Sequence, residues 1–219
     1  MIVKICGLKR VEDLKVAKDC GANVLGMICG VPESPRNNSV ESCVQLLNSI
    51  EGVQKAVLFR NSPISEVLEA TAKFNCDILH FCGDEDSAFR QSIKSHFPRL
   101  KIWQSFGVPL ENPNDPEWFK RVRGAVEDTT IETIVLDSQK SGKTGGSGVA
   151  FPFDIIADKC AQFQHKLIIA GGLKTELLKD LFSHLSPLGL DISSGVEESP
   201  GVKDREKIVA FFEELSNCQ

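Results

Sequence analysis

The sequence predicts a single (β/α)8 barrel, of the α/β class, that spans residues 1–219. Short β-rich runs alternate with helical patterns eight times, which indicates parallel strands joined by crossover helices. The length is enough for one well-buried domain, and no linker rich in Pro, Ser or Gly divides it. Candidate reactive residues follow the ends of the strands, where barrels carry their chemistry. A doubly wound open sheet is the alternative fold.

Eight strands and eight helices are predicted in strict alternation. The strands are short apolar runs at 2–6, 24–28, 55–59, 77–81, 101–106, 133–136, 166–170 and 189–192. The helices have their cores at 11–19, 40–49, 64–74, 87–96, 117–123, 154–163, 175–184 and 204–216. Ser39 and Asp86 stand where helix N-caps are expected, since their side chains can accept from amides of the first turn.

Composition and charge argue against several classes of function. The formal net charge is −5, whereas a partner such as nucleic acid or an anionic membrane surface would favour a basic protein. No stretch is long and apolar enough to span a bilayer. The N-terminal residues lack the layout of a signal peptide, so we expect a cytoplasmic protein.

The eight cysteines are scattered and form no C-x-x-C pair. Without an export signal, we expect reduced thiols that pack as small apolar side chains. Cys6 is the exception. If Val3 and Ile5 face the helices, Lys4 and Cys6 share the lumen side of the first strand, and a neighbouring ammonium should favour the thiolate. Cys6 is then a candidate proton acceptor or nucleophile, and a buried inert cysteine is the alternative.

The loops after strands seven and eight predict a phosphate site. Gly171 and Gly172 follow the seventh strand, and Ser193, Ser194 and Gly195 follow the eighth. Glycines let the backbone approach an anion, hydroxyl groups add donors, and barrels often bind phosphate at this end. Tight turns are the alternative reading.

The glycine-rich loop after strand six, at residues 141–148, matches neither a Walker A loop nor a dinucleotide fingerprint. It is a candidate lid that touches the phosphate, with Gly146 among the expected ligands, and a plain surface loop is equally compatible with the pattern.

Three charged residues are candidates for acid–base or carboxylate chemistry. Asp137 follows an apolar strand, so its carboxyl must face a wet mouth or a partner, and it could act as general acid or base or as a loop anchor. Asp191 has the same ambiguity, with more weight on a structural role. Arg36 follows Ser34-Pro35 and could pair with a substrate carboxylate, or it could be a solvated surface residue.

Taken together in order, these segments resemble the phosphoribosylanthranilate isomerase family. The resemblance runs from residue 1 to the C-terminal helix. It rests on Lys4-Ile5-Cys6-Gly7-Leu8, Ser34-Pro35-Arg36, Gly83-Asp84-Glu85, Leu136-Asp137, Gly145-Gly146-Ser147-Gly148, Ala170-Gly171-Gly172-Leu173, Asp191-Ile192-Ser193-Ser194-Gly195-Val196-Glu197 and Ser199-Pro200-Gly201-Val202-Lys203-Asp204.

The resemblance implies an Amadori rearrangement of N-(5′-phosphoribosyl)anthranilate in tryptophan biosynthesis, without metal or cofactor. It implies that Asp137 is the general acid that opens the furanose ring and that Cys6 is the general base that removes the C2′ proton. Arg36 would face the anthranilate carboxylate, and His80, Cys82 and Asp191 would line the substrate site. A monomer and a homodimer are both compatible with the sequence.

The chain departs from the family on the anthranilate side. Strand four ends in His80-Phe81-Cys82-Gly83 where the family usually reads Gln-Leu-His-Gly, and Arg60 stands where an asparagine is usual. Three alternatives follow: an isomerase or lyase with a different aglycone, a non-catalytic phosphosugar-binding protein, or a zinc site built from Cys6, His80, Cys82 and Asp137.

Overall fold

The computed structural model describes residues 1–140, 143–144 and 153–218. Its centre is a ring of eight parallel strands. They are β1 (Ile2–Ile5), β2 (Val24–Cys29), β3 (Gln54–Phe59), β4 (Ile78–Phe81), β5 (Lys101–Pro109), β6 (Thr133–Lys140), β7 (Leu167–Ile169) and β8 (Gly189–Ile192).

Each strand pairs in parallel with the next, and β1 also pairs with β8. The ring is therefore closed, which confirms the predicted (β/α)8 barrel and rules out the open sheet. Closure leaves no unpaired strand edge in the ring, and it brings the carboxyl ends of all eight strands to one mouth.

Helices alternate with the strands as predicted. They are α1 (Val11–Cys20), α2 (Val40–Asn48), α3 (Ile64–Thr71), α4 (Ser87–His96), α5 (Pro116–Glu127), α6 (Phe153–Cys160), α7 (Leu178–His184) and α8 (Arg205–Asn217). Both predicted N-caps are confirmed: the Ser39 hydroxyl accepts from the Ser42 amide at 3.1 Å, and the Asp86 carboxylate accepts from the Phe89 amide at 2.8 Å.

The core has two parts because side chains alternate along each strand. Val3 and Ile5 belong to the large apolar layer between the strands and the helices. A smaller cluster of seven buried residues fills the barrel interior: Val24, Ala56, Ile78, Trp103, Val135, Ile168 and Ala170. Lys4 is also fully buried, so the predicted division of the first strand into an outer and a lumen face is confirmed.

The element boundaries differ from prediction where the chain adds irregular structure. β6 runs on to Lys140 and pairs antiparallel with the short strand Lys143–Thr144, so Asp137 lies within a strand and does not end it. The predicted sixth and seventh helices each include a 3-10 segment, Ala161–Lys166 and Thr175–Leu177. A second small antiparallel pair joins Glu197–Ser199 to Val202–Lys203.

Within the described part of the chain, no helix combines the length and the apolar character needed to cross a membrane. All eight cysteines are free thiols, as expected.

Candidate active site

A cavity of about 680 Å³ opens at the carboxyl ends of the strands. It is lined by ten of the residues that the sequence singled out: Cys6, Arg36, His80, Cys82, Asp137, Gly171, Gly172, Asp191, Ser193 and Ser194. Gly195 is not among the lining residues, and Gly146 lies outside the described residues. The tertiary structure therefore brings together residues that are scattered from the first strand to the last.

Lys4 organises the floor of this cavity. Its Nζ lies 2.6 Å from Asp191 Oδ2, 2.9 Å from His80 Nδ1 and 3.3 Å from Cys6 Sγ. An ammonium has three N–H donors, and here three acceptors surround it. Burial alone would lower the pKa of Lys4, but Asp191 and Cys6 raise it above its ordinary value. Lys4 is thus a permanent cation that ties β1, β4 and β8 together beneath the cavity.

His80 is a neutral imidazole in this arrangement. Burial lowers its pKa well below the ordinary value, and the charge of Lys4 lowers it further. Because Lys4 donates to Nδ1, the ring proton is assigned to Nε2, which lies 2.7 Å from Ser105 Oγ. His80 therefore acts as an acceptor for the ammonium and as a donor to Ser105.

Cys6 is held as a thiol in the protein without a ligand. Burial raises its pKa above the ordinary value of a cysteine, and although Lys4 opposes this, Asp191 adds to it. Lys4 favours the thiolate, as the sequence predicts, but it does not set the net direction of the Cys6 pKa in the resting protein. The physical reason is that the thiol is 5% exposed, so desolvation outweighs the attraction of Lys4.

Asp137 has the protonation behaviour of a general acid. Burial raises the pKa of its carboxyl to about 7, the negative charge of Asp191 adds to the shift, and the Ser138 amide and Lys4 oppose it. Its Oδ1 is buried and has no hydrogen-bond partner among the described residues. A carboxyl that keeps a proton near neutral pH and has an unengaged oxygen in a cavity can donate that proton to a ligand.

Arg36 is held in a buried ion network. Its Nε and Nη2 donate to the Glu197 carboxylate at 2.9 and 2.6 Å, and Lys203 Nζ donates to the same carboxylate at 2.8 Å. Burial would raise the pKa of Glu197, but these two cations lower it overall. The Arg36 side chain is 16% exposed, so the reading as a solvated surface arginine is wrong.

The ion network continues to the loop after β8. Lys203 Nζ donates to the Ser193 carbonyl at 3.0 Å, and the Ser193 hydroxyl donates to the Cys6 carbonyl at 3.1 Å. In the sequence, Glu197 and Lys203 stand out only as parts of a motif. Two opposite charges in a short hairpin next to a serine-rich loop are only weak evidence for a role in the site. The fold shows that these residues support Arg36 and Ser193.

Glycines shape the two loops predicted to bind phosphate. Gly171 and Gly172 both have positive φ, 82° and 65°. A Cβ on Gly171 would overlap Asp137 Oδ1 and the Ser138 amide, and a Cβ on Gly195 would overlap the Leu173 carbonyl. Gly195 therefore holds the two loops against each other, while Gly171, Gly172, Ser193 and Ser194 face the cavity.

The zinc alternative needs four side chains to converge on one point. Among the described residues no group of three or more His, Cys, Asp or Glu side chains has a metal-binding arrangement. Lys4 Nζ instead lies within hydrogen-bonding distance of both Cys6 and His80.

A closed barrel with a carboxyl of raised pKa, a thiol and two glycine- and serine-lined loops around one mouth defines a (β/α)8-barrel enzyme of acid–base chemistry. The comparisons with known proteins give its family. The profile of the N-(5′-phosphoribosyl)anthranilate (PRA) isomerase family matches residues 3–214, and the chain belongs to this family.

Individual relatives agree. The N-(5′-phosphoribosyl)anthranilate isomerase of Gloeothece citriformis is 32% identical over 220 residues, covering 98% of this chain and 94% of that protein. The phosphoribosyl anthranilate isomerase structure from Thermus thermophilus superposes with a TM-score of 0.81 at 30% identity, covering 100% of both chains. The chain is accordingly an aldose–ketose isomerase of tryptophan biosynthesis.

A third structure, at 22% identity and a TM-score of 0.78, covers 99% of this chain and 100% of the other and supports the fold. That protein is a phosphoribosyl anthranilate isomerase in complex with reduced 1-(o-carboxyphenylamino)-1-deoxyribulose 5-phosphate.

Proposed function

We propose that Asp137 and Cys6 are the general acid and the general base of the Amadori rearrangement of N-(5′-phosphoribosyl)anthranilate. The observation that carries this assignment is that both groups line one cavity, with the Asp137 pKa raised to about 7. The relatives' activity needs one acid and one base, and binding alone would need neither.

The reaction follows from these two positions. Asp137 gives its proton to the furanose ring oxygen, and the C1′–O bond breaks to leave a Schiff base. The Cys6 thiolate then takes the proton from C2′, and the resulting enolamine tautomerises to the ketone. One proton is donated and one is removed, so substrate and product are isomers. Lys4 stabilises the thiolate because its ammonium lies 3.3 Å from the sulfur.

The remaining candidate residues bind and orient the substrate in this proposal. Gly171, Gly172, Ser193 and Ser194 receive the phosphate at the mouth between β7 and β8, and Gly195 supports their loops. Gly146 is assigned to the phosphate from the sequence pattern alone. His80, Cys82 and Asp191 line the central part of the site, and Arg36 faces the anthranilate carboxylate.

The decisive experiment is a direct assay with freshly prepared phosphoribosylanthranilate, followed by the loss of substrate fluorescence. Cys6→Ala and Asp137→Ala should each lower kcat by about 100- to 10,000-fold, the usual contribution of a positioned acid or base. Cys20→Ala and Asp19→Asn, both on α1 and away from the cavity, are matched controls that should keep normal rates.

A near-normal rate for the Cys6 or Asp137 variant would remove that residue from its role. Tight binding of a reduced product analogue without turnover by the wild-type protein would favour the phosphosugar-binding alternative. Turnover of a phosphoribosyl arylamine other than the anthranilate compound would favour the alternative aglycone.

The proposal also covers the oligomeric state of the protein and its location in the cell. A solved relative from Thermotoga maritima, 24% identical, is a dimeric enzyme that was converted to monomers. We propose a cytoplasmic enzyme that is a monomer or a homodimer, and light scattering of the purified protein decides between these two states.

A further inference from the structure

Arg60 is a cation at the cavity that pairs with no residue in the described part of the chain. It follows β3, is half-buried and lines the cavity. It makes no hydrogen bond or ion pair with any described residue, although Arg36, the other arginine of the lining, is bidentate on Glu197. A half-buried guanidinium at the wall of a ligand cavity is a ready site for an anion.

The backbone next to Arg60 is held in place by hydrogen bonds. Asn61 adopts a left-handed conformation with φ of 51°, which is uncommon for a residue other than glycine. Its amide donates to Glu85 Oε1 at 2.7 Å, and the Gly83 amide donates to Glu85 Oε2 at 2.9 Å. The Asn61 side chain in turn accepts from the Asp84 amide at 2.7 Å. Arg60 therefore projects from a pre-organised loop, which lowers the entropic cost of binding an anion.

The location of Arg60 fits one end of the substrate. In a ring of eight strands, β3 lies opposite β7, and the phosphate loops follow β7 and β8. Between these two sides lie Cys6, which directly follows β1, and Asp137, which lies on β6. A substrate held by its phosphate at one side, with its reacting carbons near Cys6, must place its other end toward the side of β2 and β3.

Arg36 is already partly engaged at that end. Its Nε and Nη2 donate to Glu197, which occupies the side-on pair of donors and leaves the end-on pair on Nη1 and Nη2. Bidentate recognition of a carboxylate needs two parallel N–H donors on one guanidinium. Arg60 donates to no described residue, so both its side-on and its end-on pairs are available.

We infer that Arg60 is a specificity-determining residue that binds the carboxylate of the substrate's aromatic ring, with Arg36 as a neighbour whose side-on donors are held by Glu197. The inference rests on the proposed function, since that function supplies the arylamine carboxylate. It assigns to this chain a preference for ortho-carboxylated over unsubstituted arylamines, and it places the source of that preference at the end of β3.

The test compares two stable ligands by titration calorimetry. The first is the reduced product, 1-(2-carboxyphenylamino)-1-deoxyribitol 5-phosphate, and the second is 1-phenylamino-1-deoxyribitol 5-phosphate, which lacks the carboxylate. Arg60→Gln should weaken the first by about 10- to 100-fold, the value of hydrogen bonds to a charged group, and leave the second within about 2-fold. Arg60→Lys should recover part of the loss.

Two controls keep the result interpretable. Arg99→Gln removes the same charge from an exposed position outside the cavity and should change neither affinity. The wild-type assay with phosphoribosylanthranilate is run beside the titrations. Two results would overturn the assignment of Arg60 while wild-type turnover keeps the proposed function standing. In the first, Arg60→Gln binds the carboxylated ligand normally. In the second, Arg60→Gln loses affinity for both ligands equally. If the wild-type protein shows no turnover, the proposed function itself fails.

Discussion

Lys4 sets the charge balance of the site because one ammonium meets three acceptors on different strands. Asp191 is its closest partner, and the same carboxylate raises the pKa of both Asp137 and Cys6. The acid and the base are therefore not independent. Their protonation depends on a lysine–aspartate pair that need not touch the substrate's reacting atoms.

The pH profile of kcat/KM follows from these shifts. In the proposed mechanism the productive form of the free enzyme has Asp137 protonated and Cys6 ionised, yet the Asp137 pKa is about 7 and burial raises the Cys6 pKa above its ordinary value. As the pH increases, the fraction of enzyme in this form rises up to the pKa of Asp137. It then stays constant until the pKa of Cys6 and falls at higher pH. We therefore expect a broad bell with its acidic limb near pH 7.

Asp191→Asn tests the origin of this profile. Removing the negative charge lowers the pKa of Asp137, so the acidic limb should move below pH 7. Asp128→Asn, at a carboxylate that pairs with Arg90 away from the cavity, should leave the limb in place. An unchanged limb in the Asp191 variant would mean that Asp191 does not control the acid.

At the scale of elements, the loops at the mouth of the barrel approach each other so closely that a Cβ at the contact positions would overlap a neighbouring loop or strand. Gly171, after β7, faces the Asp137 carboxyl on β6, and Gly195, after β8, faces the Leu173 carbonyl of the preceding loop. These two contacts fix the Asp137 carboxyl and the loops after β7 and β8 relative to each other. The glycines leave room for this carboxyl, and in the proposed function they also admit the phosphate.

Gly171→Ala should displace Asp137 and disturb the phosphate loop, because its Cβ would overlap Asp137 Oδ1 and its φ of 82° strains any other residue. We expect a loss of at least about 10-fold in kcat/KM, since small misplacements of reacting groups are costly. Gly124→Ala, in α5 with open space around its Cβ position, is the matched control and should keep activity. Equal kinetics of the two variants would contradict this account of Gly171.

At the scale of the whole molecule, burial of the ionised Asp137 carboxyl lowers the free energy of unfolding. The carboxyl of Asp137 has a raised pKa in the folded state, so folding favours its protonated form. Its contribution to stability is fully present below the unfolded pKa of 3.8 and is lost as the pH rises through about 7. Natural enzymes often carry such strain where function needs it.

Asp137→Asn should therefore gain stability relative to the wild type as the pH rises. We expect the difference in the free energy of unfolding to grow by roughly 2–4 kcal/mol between pH 4 and pH 8, at about 1.4 kcal/mol per pKa unit. Urea unfolding of both proteins across this range measures it, with exposed Asp19→Asn as the control. A pH-independent difference would show that Asp137 ionises in the folded state as readily as in the unfolded chain.

The sequence by itself determined the order of strands and helices, the N-caps at Ser39 and Asp86, and the lumen face of the first strand. These features depend on residues close together in the chain, through side-chain alternation and first-turn hydrogen bonds. It also located Cys6, Asp137 and the glycine loops, because strand ends of a closed barrel must share one mouth.

The tertiary structure alone decided the charges and the partners. Burial of Cys6 outweighed the effect of its neighbour Lys4, Glu197 engaged Arg36 from 161 residues away, and Arg60 has no hydrogen-bond partner among the described residues. Desolvation and ion pairing depend on what surrounds a group in space, and the identity of a residue's neighbours in the chain does not determine them.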